Sequence, residues 1–342
     1  MPTLNLSSVI FSDRTQFRDF VDEVLLLHDF SDIQRIQFHL HPFNVPSRLN
    51  TWIIAALNHN VQELSIRFCL DQFQFPRRLF SCNLRSLVLK QNGGICLPMV
   101  LPGSINLPHL KSLRIQRYSF DNEELTNELF SGCPLLESLV LNHCKFPHMN
   151  VQIFNPNLKH LEIYRSLMRS TNGLHLDNGE ITLCTPSLLS IETNDYMSTD
   201  YSLHNLSSVV TVDILSTSVR KYVDAPPELE LPAGIKELFA KRMIQFLRAV
   251  HNVKDLKLSY LSLEFASSAL EKLDGQLPQF CNLKCLKLKT SLSIDSLNAI
   301  AYLLKLTPNI ESVEINITQH FFSCWNDHRL FLKSAMCPYV DE

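Results

Sequence analysis

Only eight glycines are spread over 342 residues, and none belongs to a G-x-x-x-x-G-K-[ST] loop of the kind that cradles phosphates. The H-E-x-x-H and G-x-S-x-G patterns of metal and serine hydrolases are missing as well. Ten cysteines are present without a single C-x-x-C pair. Cys281 and Cys285 stand four apart with no second pair to complete a zinc ligand set, so no metal or other cofactor is expected. No apolar run approaches the roughly 18 residues of a membrane span. The N-terminus, MPTLNLSSVIFSDR, lacks the basic start and apolar core of a signal peptide. Charge is sparse and balanced: 19% of residues are charged, the net charge is −3 and the pI about 6.5. That balance gives no pull toward nucleic acid or an anionic membrane. These absences point to a cytoplasmic or nuclear protein whose cysteines are thiols. The N-x-S/T matches at Asn5, Asn205 and Asn316 are then chance. Thirteen histidines include an H-x-H at His39 and His41 and the neighbours His143 and Cys144, but no catalytic constellation assembles, and the chain does not read as an enzyme.

What the chain has is repetition. CNLRSLVL (82–89), PHLKSLRI (108–115), PLLESLVL (134–141), PNLKHLEI (156–163), CNLKCLKL (281–288) and PNIESVEI (308–315) are versions of one phrase, with PSLLSIET (186–193) a weaker copy. Their L-x-x-L-x-L frame is the strand unit of a leucine-rich repeat. In the same phase, IQRIQF (33–38), VQELSI (61–66), VVTVDI (209–214) and VKDLKL (253–258) bring the total to eleven units. The first, fourth and sixth residues of each form its buried set. Proline at 108, 134, 156, 186 and 308 stands just ahead of the strand, where a missing N–H costs nothing. Cys69 and Cys144 fall just after a strand, as Asn92 does, where a small polar group can satisfy the turn backbone.

Helical stretches separate the strands. Residues 17–27 turn Phe17, Phe20, Val21, Val24 and Leu25 to one face, and 47–58 form a second helix. Asp121 with Glu124 makes a capping-box start to a third. Residues 235–250 give a helix with a basic outer face, and 293–305 one with Leu297, Ile300, Ala301 and Leu304 inward. The fold class is therefore α/β: a leucine-rich-repeat solenoid, curved, with parallel strands on the concave face and helices on the convex face. Residues 216–234, with Pro226-Pro227, read as an irregular insertion, and 319–342 fall outside the repeat.

Three stretches, DFVDEVLLLHDFSDIQRIQF (19–38), LFSGCPLLESLVLNHCKF (129–146) and 277–315, resemble plant F-box proteins with leucine-rich repeats and a C-terminal FBD domain. The resemblance covers about 15–318 and divides the chain into a capping segment (1–30), a repeat array (31–260) and FBD-like repeats (261–342). It implies the substrate-recognition half of a ubiquitin-ligase receptor, whose F-box docks on a Skp-type adaptor and a cullin. Nothing like an F-box precedes Ser12, so the docking module is expected to be absent and the ligase role to follow from relatives alone. A truncated competitor that binds the target without ligase, and a hormone-like small-molecule sensor on the concave face, are the other readings the family implies.

The third, fifth and seventh positions of the phrase alternate with the buried set and should line the concave face. Their charges fall in blocks. Arg35, Arg67, Lys90 and Arg114 are basic, Glu162, Glu192 and Asp213 acidic, and Lys257, Lys287 and Lys289 basic again. The expected partner is a target protein of complementary charge lying along this face. Tyr164 is its first apolar anchor, with Val88, Val140 and Leu215 behind it. Arg67, Lys90 and Arg114 occupy successive repeats and could converge on an anion.

Overall fold

The computed structural model describes residues 3–11, 13–27, 33–40, 46–69, 73–92, 96–165, 169–170, 173–174, 179–194, 197–214, 233–270, 277–290 and 294–317. Twelve strands form one parallel sheet in chain order: Thr3–Ser7, Arg35–His39, Glu63–Phe68, Ser86–Gln91, Ser112–Gln116, Ser138–Asn142, His160–Tyr164, Ser190–Asn194, Thr211–Ile214, Asp255–Leu258, Cys285–Thr290 and Ser312–Ile317. The last eleven are the eleven repeat phrases. The first, TLNLS, keeps the L-x-L half of the phrase without its leading leucine, and pairs Leu4 with Ile36 and Leu6 with Phe38.

Each phrase builds the same junction. A tight turn closes ahead of the strand, with the N–H of the first-position residue donating back three residues: Leu110 to Leu107, Leu136 to Cys133, Leu188 to Thr185, Ile310 to Thr307. Proline sits second in these turns, a place its fixed φ suits. The carbonyl just before the strand then accepts two consecutive N–H groups from the next repeat. Arg85 O takes Lys111 and Ser112, Lys111 O takes Glu137 and Ser138, and Glu137 O takes Lys159 and His160. The junction recurs as far as Lys284 O, which takes Glu311 and Ser312. Asn157 and Asn309 reinforce it, each donating from its side-chain amide to a carbonyl one repeat earlier, on Pro134 and Cys281.

With the phase fixed, the fourth and sixth residues of neighbouring phrases stack. Leu87, Leu113, Leu139 and Leu161 lie in register in one buried row, and Leu89, Ile115, Leu141 and Ile163 in the next. Burying such a side chain contributes about 1.5–3 kcal/mol, so two per strand outweigh any single surface contact.

The returning layer on the other side is mixed. Helices α1 (Arg14–Leu27), α2 (Pro46–Asn58), α3 (Glu123–Ser131), α4 (Ala233–Ala249), α5 (Tyr260–Leu270) and α6 (Ile294–Lys305) supply its two ends. In the middle, Val151–Ile153, Glu180–Cys184 and Asp200–His204 return as a three-stranded parallel sheet between α3 and α4. The expectation of helices throughout is corrected there. VQI and EITLC alternate apolar with polar residues, burying Val151, Ile153, Ile181 and Leu183, and a period of two fits a strand. Gly179 leads into this sheet so close to the preceding chain that a Cβ would lie 2.0 Å from Met149 O.

Other local expectations shift for identifiable reasons. Asn122, not Asp121, caps α3: its side chain accepts the Leu125 N–H at 2.9 Å. Phe120 is buried and tied through its N–H to Lys145 O, and the helix starts one residue later than the capping box requires. In α1, Phe17, Val21 and Leu25 are buried as expected, while Phe20 remains 43% exposed against Phe11. In α6 the buried face is Ser296, Ala299, Ile300 and Leu303; Leu297 is 50% exposed, and Ala301 and Leu304 also face out. Arg242 on α4 turns from the basic face to donate to Ser198 O and Met197 O. Ala233 and Gly234 open α4 instead of breaking the chain; the remainder of the expected irregular segment from residue 216, and the tail 319–342, lie outside the described residues. Helix α5 has no signature in the hydrophobic pattern, because it packs between α4 and α6 and buries Leu263, Phe265, Ala266 and Ser267 on several sides.

Two outcomes are expected. Leu139→Ala should destabilise the fold by about 2–5 kcal/mol in denaturant unfolding, whereas Leu297→Ala should cost well under about 1 kcal/mol. Burial pushes the Cys133 and Cys144 thiols up to about 12. In peptide-mapped thiol labelling near pH 8, exposed Cys281 should react at once, and Cys133 and Cys144 only on unfolding.

Candidate protein-binding face

Because the sheet is in register, the side chains that avoid the core form continuous columns across it. The fifth-position column runs Gln37, Ser65, Val88, Arg114, Val140, Glu162, Glu192, Asp213, Lys257, Lys287, Glu314, each paired with the next. Residues separated in sequence by a whole repeat, 44 residues in the case of Asp213 and Lys257, therefore sit about 4.8 Å apart in space. A long side chain can cross one strand and meet a residue on the strand beyond.

That reach decides where the charges go. Arg114 extends over Val140 to Glu162, with 4.0 Å between the charged groups. Lys257 meets Asp213 at 2.5 Å, Lys287 meets Glu314 at 3.3 Å, and Arg35 grips the third-position Glu63 through Nε at 2.5 Å. The Tyr164 hydroxyl donates to Glu192. Burial first, and then the Glu192 acceptor, hold that hydroxyl above the ordinary phenol range. The acidic block is thus engaged with neighbours inside the sheet. Arg67 and Lys90 stand side by side in register, with His39 on the strand before. Lys289 projects beside Asn316.

The apolar anchors divide. Tyr164 and Val88 are half-buried. Val140 is only 2% exposed, a correction to its role as an anchor: it lies beneath the Arg114–Glu162 bridge. Leu215 lies outside the described residues. Period-two reasoning also misses Arg117 and His143. Both lie one residue beyond the seventh position, at φ 61° and 52°, and neither is the glycine or asparagine that signals a left-handed turn. Arg117 donates to Asn92 O at 3.3 Å, close to Lys90 in the field it creates. Cys144, expected to satisfy the turn, instead directs its buried Sγ to the carbonyl of Ile115 in the neighbouring strand at 3.4 Å. Among the described residues, no group of three or more His, Cys, Asp or Glu is placed to hold a metal ion.

Asp213 gives the face a pH-dependent test. Burial raises its carboxyl above the ordinary value, the Lys257 hydrogen bond works against that rise, and Glu192 adds to it. In Lys257→Met the half-buried carboxylate loses its cation, so the folded-state pKa rises further. The expected deficit is about 1–3 kcal/mol at neutral pH, below the ~3–5 of a fully buried pair. A raised carboxyl favours the fold while protonated and loses that contribution as pH rises through the folded value. The gap to wild type in urea unfolding should therefore shrink as pH falls through that value.

Comparison with known proteins fits this architecture. Residues 49–176 match a family profile described as FBD-associated F-box protein At5g56370, LRR repeats. The F-box/LRR-repeat protein At3g59190 of Arabidopsis thaliana is 25% identical over 94% of this chain and 84% of its own length. The F-box/LRR-repeat protein At4g14103 of the same plant is 26% identical over 92% of this chain and 80% of its own. Against other F-box relatives, 26% identical, the chain spans 59–60% of their length. No solved structure matches. In its repeat phrases, its parallel strand ladder and these relatives, the chain is similar to the plant F-box/FBD leucine-rich-repeat proteins.

Proposed function

We propose that the chain is a protein-interaction module whose strand face holds a target polypeptide, in the manner of the substrate-recognition part of an SCF-type ubiquitin-ligase receptor. The observation that carries this is the face itself: three columns of mostly polar and charged side chains running in register across the sheet. The relatives' F-box/LRR-repeat names supply the ligase connection.

The array is proposed to curve with its strands on the concave side. Helices are about 10 Å wide and strands about 4.8 Å apart, so a helical returning layer needs the longer arc. Residues 1–30 act as the N-terminal cap, 31–260 as the array and 261–342 as an FBD-like end. The working compartment is the cytoplasm or nucleus. A second reading is that the chain binds the target without the Skp-type adaptor and cullin and competes for it with F-box-bearing relatives.

Two measurements test the reading. Purified chain should fail to retain a recombinant Skp-type adaptor that an F-box-bearing relative retains. A partner found by proximity labelling and then purified should bind the chain directly. Tyr164→Ala with Lys289→Glu on the strand face should weaken that binding at least about tenfold, the scale of a hot-spot loss. Lys236→Glu with Lys241→Glu on the exposed side of α4 should leave it unchanged. Equal loss from both pairs, or from neither, would remove the strand face from the interaction.

A further inference from the structure

The ion pairs across the strand face leave one group of cations over. Arg35, Lys257 and Lys287 each have a carboxylate within 3.3 Å, and Arg114 has one at 4.0 Å. Arg67 and Lys90 have none among the described residues, although they are register neighbours about one strand spacing apart. His39 precedes them in the same column, and Arg114 lies on the strand after Lys90, in register with Val88. Four basic side chains from four successive strands thus gather at the N-terminal end of the face, and among the described residues only the last has an acid within reach.

We infer that His39, Arg67, Lys90 and Arg114 form an anion subsite for a group carrying at least two negative charges, a phosphate or a pair of carboxylates.

Two further observations support the assignment. Arg67 Nε and His39 Nε2 are shut off from solvent and have no hydrogen-bond partner among the described residues, so two potential donors in the cluster lack an acceptor there. Buried polar groups are rarely left so, and an anion supplies acceptors to both. The cluster is also electrostatically strained. Partial burial and the charges of Arg67, Arg117 and Arg114 hold the Lys90 ammonium below its ordinary value. Burial and the charges of Arg67 and Lys90 do the same to His39. Like charges at this separation repel unless something opposite lies between them. Gln116 and Asn142 continue the column as neutral polar groups and give a bound anion further hydrogen-bond partners.

The subsite deepens the interaction reading and rests on it for its biological source. The anion is either a free small polyanion or an acidic or phosphorylated side chain of the target; the chemistry is shared, and the test separates them. Calorimetric titrations would use inorganic pyrophosphate in one arm and, in the other, a short Asp/Glu-rich peptide with its phosphoserine counterpart. Saturable binding in either arm, weakened by added salt and by at least about tenfold in Lys90→Gln and in Arg67→Gln/Lys90→Gln, is the expected result. Pyrophosphate alone binding would identify a free anion, and the peptides alone a partner segment. Lys241→Gln on α4 should bind as wild type. A structural role for the cations would lower the melting temperature of the ligand-free variants, whereas relief of repulsion should leave it unchanged or raise it. The subsite is refuted if neither arm saturates, if Lys90→Gln binds as tightly as wild type, or if loss of binding always accompanies a lowered melting temperature. Refutation here, with the strand-face variants still losing a purified partner, would leave the interaction reading standing. Anion binding without any strand-face partner would do the reverse.

Discussion

One backbone contact sets the phase of the whole molecule. At each repeat the carbonyl that precedes the strand takes two consecutive N–H groups from the next repeat, as Arg85 O takes Lys111 and Ser112. This three-centre junction leaves a single alignment for the strand that follows. A slip of one residue would turn every leucine of that strand to the open face. The proline turns and the side-chain amides of Asn157 and Asn309 hold the same alignment from the loop side. The in-register rows, the layer behind them and the columns in front all follow from it.

The columns then reshape the electrostatics. In sequence the charges fall into basic, acidic and basic blocks, and the blocks suggest an elongated complement. In space the strand spacing brings those blocks within reach of one another. Arg114 bridges to Glu162, and Lys257 to Asp213, while Tyr164 engages Glu192. The blocks largely neutralise themselves, and the residual charge concentrates around Arg67 and Lys90. A linear reading of charge runs overlooks this, because it treats as distant the residues that the ladder makes neighbours.

The strands were legible because their signal is local and repeated: a buried leucine at fixed offsets and a turn-former ahead of it. All eleven phrases fall in the sheet, and the fifth-position column reads from sequence as it stands in the structure. The N-terminal strand was not legible, since TLNLS carries too little of the phrase. The returning layer was harder, because its identity depends on what it packs against. Helix α5 has no polar stripe to reveal it, and the buried face of α6 shifts to Ser296, Ala299, Ile300 and Leu303. At the open face, period two placed Val140 correctly in its column, but only its neighbours' side chains decide that it is covered.

The alternation of buried and open residues has a consequence for how such a protein can change. Along most strands, the positions that hold the array together and the positions that meet the outside are different residues with different neighbours. Replacing Ser86, Ser112 or Ser138, which occupy consecutive rungs of the third column, would leave the leucine rows behind them in contact. The open face therefore behaves as a grid whose cells can be rewritten one at a time on an unaltered frame. A lineage of such arrays can diverge in what it recognises while drifting little in how it folds.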